Sequence, residues 1–282
     1  MGGTHMVHFG LGSLLLCAVT TLGPVARVAA QAARQDYLVE RLRDTVNFEG
    51  FNDPRTTLQD ALDYLRDRYD LTYVIDETAF PKGKAKELKS FLIAENDPVP
   101  TMTGVPLDAV LGTILSRLPA EAQPTFLIQR RGIVIMSKKA ASKLVLGDES
   151  KPLPPLVHAK YDNLSLQEAL SDIANHTDVN VVMDDSVAKK AGQKVSALFI
   201  NTPVDTAVRI LADRHNFASL RMDNAIYVTT RENAAKLSEE IERDKNSRDK
   251  CRWRTSGLIN STMFSRELLR ALLSAALAEA RG

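Results

Sequence analysis

One twenty-residue pattern occurs twice in this chain, and the duplication limits its fold more than any other feature. The stretch Leu166–Asp185 reads LQEALSDIANHTDVNVVMDD, and Leu58–Glu77, which begins 108 positions earlier, reads LQDALDYLRDRYDLTYVIDE. Two copies of one pattern predict two copies of one structural unit, each with its own buried face. With 282 residues, of which 44% are hydrophobic, the chain has enough length and apolar content for two small domains.

Both copies predict an amphipathic helix. In each copy the apolar residues recur at i, i+3, i+4 and i+7, which is the spacing of one helix face. They are Leu58, Ala61, Leu62 and Leu65 in the first copy and Leu166, Ala169, Leu170 and Ile173 in the second. Ser165 and Glu168 have the spacing of a capping box, and Thr57 and Asp60 repeat it. We therefore expect each helix to begin at its cap.

A strand, a second helix and further strands follow each of these helices. The runs LTYVI (71–75) and VNVVM (179–183) are rich in β-branched residues and predict strands. In the second copy another strand, VSALFI (195–200), leads to a helix that we expect Thr202 to cap, with Pro203 in the first turn. The apolar faces of the second helices are Leu107, Val110, Leu111, Ile114 and Leu115 in the first copy, and Val204, Ala207, Val208 and Leu211 in the second.

Each copy ends with two short strands joined by a turn. These runs are FLIQ (126–129) and GIVIMS (132–137) in the first copy, and FASLRM (217–222) and AIYVTT (225–230) in the second. The predicted fold class is α+β: two tandem βαβ-βαββ modules of about 80 residues, each with both helices on one face of a small sheet. A C-terminal helix is expected after the second module.

The chain divides into five segments on this basis. They are a signal peptide (1–30), a first module (31–137) with a basic insert (81–98), a Pro-rich linker (138–155), a second module (156–232), and a charged segment with a C-terminal amphipathic helix (233–282). The signal is indicated by a mostly apolar run before Val28-Ala29-Ala30, which has the small residues of a cleavage site. A retained anchor is one alternative, although the run is shorter than the ~20 residues that a span needs. A lipoprotein signal at Leu14–Cys17 is another, although Leu16 is not the small residue that such signals have before the cysteine.

A short motif recurs at the start of the helices. Asn163–Leu170 reads NLSLQEAL, and Asn201–Val208 reads NTPVDTAV. Together with the stretch Val195–Leu211 and the closing run Ala225–Thr229, this pattern resembles the short N-terminal module of secretins and TonB-dependent transducers. The first copy is a more divergent example, and the two copies span Val46–Arg231.

This resemblance implies an exported interaction module that performs no chemistry. We expect it to contact proteins of the cell envelope, with a secretin-like or outer-membrane complex among the candidate partners. The chain departs from the family's usual setting, because only about fifty residues follow Arg231, and a pore or receptor barrel needs many more strands. A periplasmic or otherwise extracytoplasmic location follows from the predicted signal peptide.

Composition argues against several other classes of protein. The 36 Lys and Arg residues nearly balance the 35 Asp and Glu residues, so no strong field draws nucleic acid to the surface. The chain has two cysteines, and removal of the signal with Cys17 leaves only Cys251, so the mature protein has no intramolecular disulfide. We predict no cofactor and no metal ligand, since cysteines and histidines never fall at zinc-ligand spacing.

A few residues could carry chemistry, but each has a simpler explanation. Asp76-Glu77 and Asp184-Asp185 follow equivalent strands and could bind a divalent cation. Because Asp favours turns, shared turn geometry explains them better. The three mature-chain histidines, His158, His176 and His215, have no nucleophile at triad spacing. We therefore predict no catalytic residue.

The C-terminal segment supplies the predicted binding residues. After Ser265, leucines recur on one face of a predicted helix that is too short to span a bilayer. They are Leu268, Leu269, Leu272, Leu273 and Leu277. Such a stripe packs on its own domain, binds a partner or second copy, or lies on a membrane surface.

Two hypotheses about function follow. In the first, the protein is an exported, non-enzymatic adaptor that binds other proteins, for example by β-strand addition at an exposed sheet edge. In the second, it is an enzyme or small-ligand binder whose site lies between the two modules. A filled junction with an apolar strip outside favours the first, and a deep pocket with converging acids and histidines favours the second.

Overall fold

The computed structural model describes residues 24–81 and 84–243, with the side chains of residues 33–81 and 86–243. Within these residues the chain is an α+β protein made of two similar modules, which confirms the predicted fold class. The first module contains α1 (Pro24–Arg43), β1 (Thr45–Phe48), α2 (Leu58–Tyr69), β2 (Tyr73–Ile75), a 3-10 turn (Glu77–Ala79), α3 (Lys84–Lys89), β3 (Met102–Pro106), α4 (Leu107–Ser116), β4 (Pro124–Gln129), β5 (Gly132–Ser137) and α5 (Lys138–Leu146). The second contains β6 (Leu156–Ser165), α6 (Leu166–Thr177), β7 (Asn180–Met183), α7 (Asp185–Ala188), β8 (Lys194–Pro203), α8 (Val204–Arg214), β9 (Phe217–Met222), β10 (Ala225–Thr230) and α9 (231–243).

The strands of each module form two sheets, whereas the sequence predicted one. In the first module β1 and β3 form an antiparallel ribbon, and β2, β5 and β4 form a three-stranded sheet in that order. The second module repeats this with the ribbon β6–β8 and the sheet β7-β10-β9. In both sheets the central strand is parallel to one neighbour and antiparallel to the other.

The helices contact both sheets of a module. Helix α6 contacts β6, β7 and β8, and α8 contacts the ribbon as well as β9 and β10. The expected arrangement, with both helices on one face of one sheet, is therefore incomplete. The reason is that the first strand of each module pairs only with the strand that precedes the second helix.

The two predicted capping boxes and the predicted buried faces are confirmed. The Ser165 hydroxyl accepts the Glu168 N–H at 3.2 Å, and the Glu168 carboxylate accepts the Ser165 N–H at 2.9 Å. Thr57 and Asp60 form the same box. The predicted apolar faces of α2, α4, α6 and α8 are all buried. Because both copies keep the same start signal and the same stripe, they adopt the same helix–strand geometry.

Thr202 does not cap α8, contrary to expectation. Strand β8 continues to Pro203, which pairs with Leu156, so Pro203 occupies the cap position. The Thr202 hydroxyl donates instead to the Ile200 carbonyl oxygen at 3.3 Å. Pairing in the ribbon therefore overrides the local preference of a threonine for the cap.

The predicted linker, 138–155, is partly helical. Its first half is α5, whose start is capped by the Ser137 hydroxyl and whose end is Gly147 in the left-handed conformation, φ 73°. The basic insert 81–98 contains α3, where Lys89 forms an ion pair with Glu77 at 2.5 Å. The lysines of the insert did not predict α3, and the prolines of the linker did not predict α5.

Several predicted segments lie outside the described residues. These are positions 1–23 of the predicted signal peptide and the C-terminal stripe with Leu268, Leu269, Leu272, Leu273 and Leu277. The expected cleavage site after Ala30 falls within the backbone of α1. Across the described part of the chain, no helix combines the length and apolar character needed to cross a bilayer.

Two glycines give a matched test of the first module. Gly132 begins β5 with φ 127°, and a Cβ there would lie 2.3 Å from the Thr72 carbonyl oxygen. We expect Gly132→Ala to lower the free energy of unfolding by about 2 kcal/mol or more. Gly112 lies within α4 and a Cβ there meets nothing within 4 Å, so Gly112→Ala should raise it by up to ~1 kcal/mol. Urea unfolding of both variants checks the prediction, and equal effects would contradict it.

Candidate functional site

Helix α1 lies at the junction of the two modules. It contacts α4, β4 and β5 of the first module and β6 and β8 of the second. Leu38, Val39 and Leu42 are buried in the core of the first module. Sequence reasoning missed this helix because it adjoins the predicted signal peptide, although the spacing of these three residues was a usable signal.

The last residue of α1 is held by the second module. The Arg43 guanidinium forms an ion pair with Asp172, and it donates a hydrogen bond to the His158 carbonyl oxygen at 3.2 Å. The other oxygen of Asp172 accepts the Tyr161 hydroxyl at 2.7 Å. Burial raises the pKa of Tyr161, and the bond to Asp172 adds to this, so the phenol stays protonated. The ion pair is only partly exposed and joins two modules.

Asn201 pairs directly with the first module. Its amide oxygen accepts the Ile128 N–H, and its amide nitrogen donates to the Ile128 carbonyl oxygen, both at 2.8 Å. Ile128 lies on β4, an edge strand of its sheet. Edge strands have unpaired backbone groups that need partners when they are buried. One side chain of the second module thus pairs with the backbone of Ile128 at the edge of the first sheet.

His158 is a buried member of the same junction. Its Nδ1 accepts the Asn201 backbone N–H at 3.2 Å, and its ring stacks on Phe126 with centroids 5.4 Å apart. Burial lowers the pKa of His158 to about 4, and the nearby Arg43 charge acts in the same direction. The ring is therefore neutral at pH 7 and serves as an acceptor and a packing surface.

A cleft with a volume of ≈ 730 Å³ opens at the junction. Its walls include Asp108, Phe126, Lys138, Leu156, His158 and His176. Burial raises the pKa of Asp108, while His176 and Arg43 act to lower it. The cleft brings together acids and histidines that are far apart in the sequence, and it has room for a small polar molecule.

The first acid of each pair, Asp76 or Asp184, caps a short helix. Asp76 accepts the N–H and hydroxyl of Thr78, and Asp184 does the same with Ser186. Asp184 also accepts the Tyr227 hydroxyl at 2.6 Å. These bonds, led by the Ser186 hydroxyl, lower the pKa of Asp184 to about 2. The predicted turn role of both aspartates is confirmed, and the described residues contain no group of side chains suited to a metal ion.

The histidines are only partly brought together. His158 and His176 both line the junction cleft, and His176 Nδ1 lies 2.9 Å from the Asp172 carbonyl oxygen. His215 instead contacts Gln193 at 2.5 Å in the second module. Cys251 lies outside the described residues.

The outer face of the first sheet is covered. We define the outer face as the side away from α2 and α4, where Val74, Val134 and Leu127 lie side by side across β2, β5 and β4. Val134 and Leu127 are 5% and 2% exposed. Residues of α5 and the following segment, including Leu153 and Leu156, pack against them. This cluster is separate from the main core.

The outer face of the second sheet has the same layout with less cover. Val182, Tyr227 and Leu220 lie side by side across β7, β10 and β9, at the register of the row described above. Val182 is 41% exposed, and Tyr227 and Leu220 are partly exposed. The second module therefore presents an apolar row at the position where the first module is covered.

Comparison with known proteins does not assign this chain to a family. No protein-family model matches it, and no curated protein is significantly similar to it.

Substitution of Asn201 tests the junction. Because Asn201 has φ 51°, glycine keeps its backbone conformation and removes only the amide. We expect Asn201→Gly to lower the free energy of unfolding by about 1–3 kcal/mol and to speed hydrogen exchange at the Ile128 amide. Asn163→Gly is the control, since Asn163 has φ 56° and is exposed. It should change stability by less than about 0.5 kcal/mol.

His158 predicts a specific dependence on pH. In the unfolded chain its pKa returns to the usual 6.5, so acid favours unfolding below that pH until the folded protein also binds the proton near pH 4. Between pH 7 and 4 this group should remove up to about 3 kcal/mol of stability. His158→Phe should lose that part of the pH dependence in urea titrations. If the free energy of unfolding depends on pH equally in the variant and the parent, His158 is not the group responsible.

Proposed function

We propose that this protein is an exported, non-enzymatic adaptor that binds other proteins of the cell envelope. The sequence resemblance to the short N-terminal modules of secretins and TonB-dependent transducers supports an interaction role. The location outside the cytoplasm rests on the signal-like N-terminus. A secretin-like or outer-membrane complex is the partner class that the resemblance favours.

The observation that carries the proposal is the difference between the two outer faces. The row Val74–Val134–Leu127 is packed against other parts of the chain, and the equivalent row Val182–Tyr227–Leu220 is partly open. Apolar side chains on a half-covered sheet gain free energy when a partner removes them from water. The second module therefore has a surface suited to a protein partner.

The polar residues of the junction support the same conclusion. Arg43, Asp172, Asn201 and His158 are all engaged in contacts that hold the two modules together. A group used in this way is poorly placed to bind a substrate as well. Removing one of them would disturb the junction before it affected any reaction.

The second hypothesis, a small-ligand or enzyme site, is favoured by one observation. Asp108 faces the junction cleft, its pKa is raised by burial, and no side chain is hydrogen-bonded to its carboxylate within the described residues. Such a carboxyl group could contact a ligand in the cleft. We rank this second, because the two histidines of the cleft have structural partners: His158 accepts the Asn201 N–H, and His176 lies 2.9 Å from the Asp172 carbonyl oxygen.

A capture experiment with matched variants tests the proposal. The mature chain (31–282) is immobilised and exposed to envelope and cytosolic extracts. We expect an envelope protein to bind the parent chain and Leu198→Asp, and to be lost with Val182→Asp. Both positions are similarly exposed, at 42% and 41%, but only Val182 lies in the open row. Two results would overturn the adaptor proposal. One is equal capture by the parent chain and Val182→Asp. The other is no captured protein together with a melting temperature that small molecules raise.

A further inference from the structure

We propose that the outer face of the second sheet binds an extended, proline-containing segment of a partner protein that presents two leucines three residues apart. This inference rests on the function proposed above and specifies the chemistry of the partner. The first module provides the pattern, because its own outer face is covered by a segment of that kind.

The segment in question is Lys151–Leu156, which reads KPLPPL. Its three prolines fix φ near −65°, and each also holds the residue before it in an extended conformation. Residues 152–155 accordingly have no helix or strand assignment. A polyproline II segment has three residues per turn and rises about 3.1 Å per residue. This spacing would place Leu153 and Leu156, the first residue of β6, on the same side roughly 9 Å apart. Both leucines pack on the outer face of the first sheet.

The two outer faces correspond strand by strand. In both sheets the row crosses the parallel edge strand, the central strand and the antiparallel edge strand at the same register. The helices that follow the central strands, α5 and α9, also begin with the same type of cap. The Ser137 hydroxyl accepts the Ala140 N–H, and the Thr230 hydroxyl accepts the Asn233 N–H. Each helix start is thus anchored in the same way.

Within the described residues the two helices differ in length. Helix α5 ends at Gly147, and the Ser142 hydroxyl bonds the carbonyl oxygens of Asp148 and Lys151 at 3.1 and 2.6 Å. This turn brings Leu153 and Leu156 back to the sheet. At the position equivalent to Gly147 the second module has Glu240, and α9 continues through it. Among the described residues, no returning segment reaches the open row.

The open row also has a feature suited to prolines. Tyr227 stands in its centre where the first module has Val134, and its hydroxyl is fixed by the bond to Asp184. Proline-rich segments characteristically bind grooves lined by aromatic rings, because they are already extended and lose little entropy. Val182 and Leu220 on either side of the ring provide apolar contacts for the two leucines.

A second copy of this chain fits the face less well. Its own KPLPPL segment is already packed against its first module. The β6–β8 ribbon of the second module contacts the first module through Asn201 and His158. The β1–β3 ribbon of the first module has Gly104 and Asn47 at the equivalent positions. It therefore lacks both the amide that pairs with an edge strand and the ring that stacks.

The probe for this proposal is the peptide KPLPPLV, matching Lys151–Val157. It is titrated into the isotope-labelled full chain while backbone amide shifts are recorded. We expect saturable shifts centred on Val182, Leu220 and Tyr227, and none with a peptide carrying Leu153→Ala and Leu156→Ala. Val182→Asp should weaken binding at least tenfold, while Leu198→Asp should not change it.

Three results would overturn the proposal. Shifts confined to Leu127 and Val134 would mean that the peptide displaces its own copy. Binding that appears only after deletion of residues 244–282 would mean that the chain itself occupies the face. Absence of binding at millimolar peptide would exclude this ligand chemistry. If the peptide does not bind but the capture experiment described above still depends on Val182, the adaptor function remains supported and only the ligand chemistry is wrong. If capture is absent as well, both proposals are wrong.

Discussion

Each three-stranded sheet of this protein has two apolar faces, and its two helices can cover only one. The inner face is filled by the helix stripes that the repeated pattern encodes. Something else must cover the outer face or leave it partly in water. In the first module the chain itself does this with α5 and the proline segment. The organisation of the molecule, including its proposed binding surface, follows from how this requirement is met in one module and left incomplete in the other.

The duplicated modules have diverged at the positions that join them. Gly104 and Asn201 both have positive φ, and each N–H is bonded by a side chain across the ribbon, from Asn47 and His158 respectively. The backbone geometry is thus shared. Only the second module has at these sites an amide and an imidazole that reach another module. Docking is therefore directional, with the second ribbon on the first sheet.

Local signals were sufficient for helices α2, α4, α6 and α8, but not for α1, α3 and α5 or for the way the modules assemble. The stripes of α2 and α6 and their capping boxes could be predicted because each depends on residues a few positions apart. The hydrogen bonds between Asn201 and Ile128 join residues 73 positions apart, and the sequence around either residue does not predict them. Thr202 was misassigned because pairing in the ribbon determined where α8 begins. Helix α1 was missed because a leader-like composition ended just before its buried residues.

The basic insert shows how little a longer connection changes the stability of such a module. The parallel pair Val74 and Val134 closes a loop of 60 residues, and the equivalent pair Val182 and Tyr227 closes one of 45. Loop-closure entropy grows only with the logarithm of length, so the extra residues cost about 0.3 kcal/mol. The crossover after the first helix is consequently a place where this architecture tolerates added sequence, and with it new surface charge, without loss of the sheet.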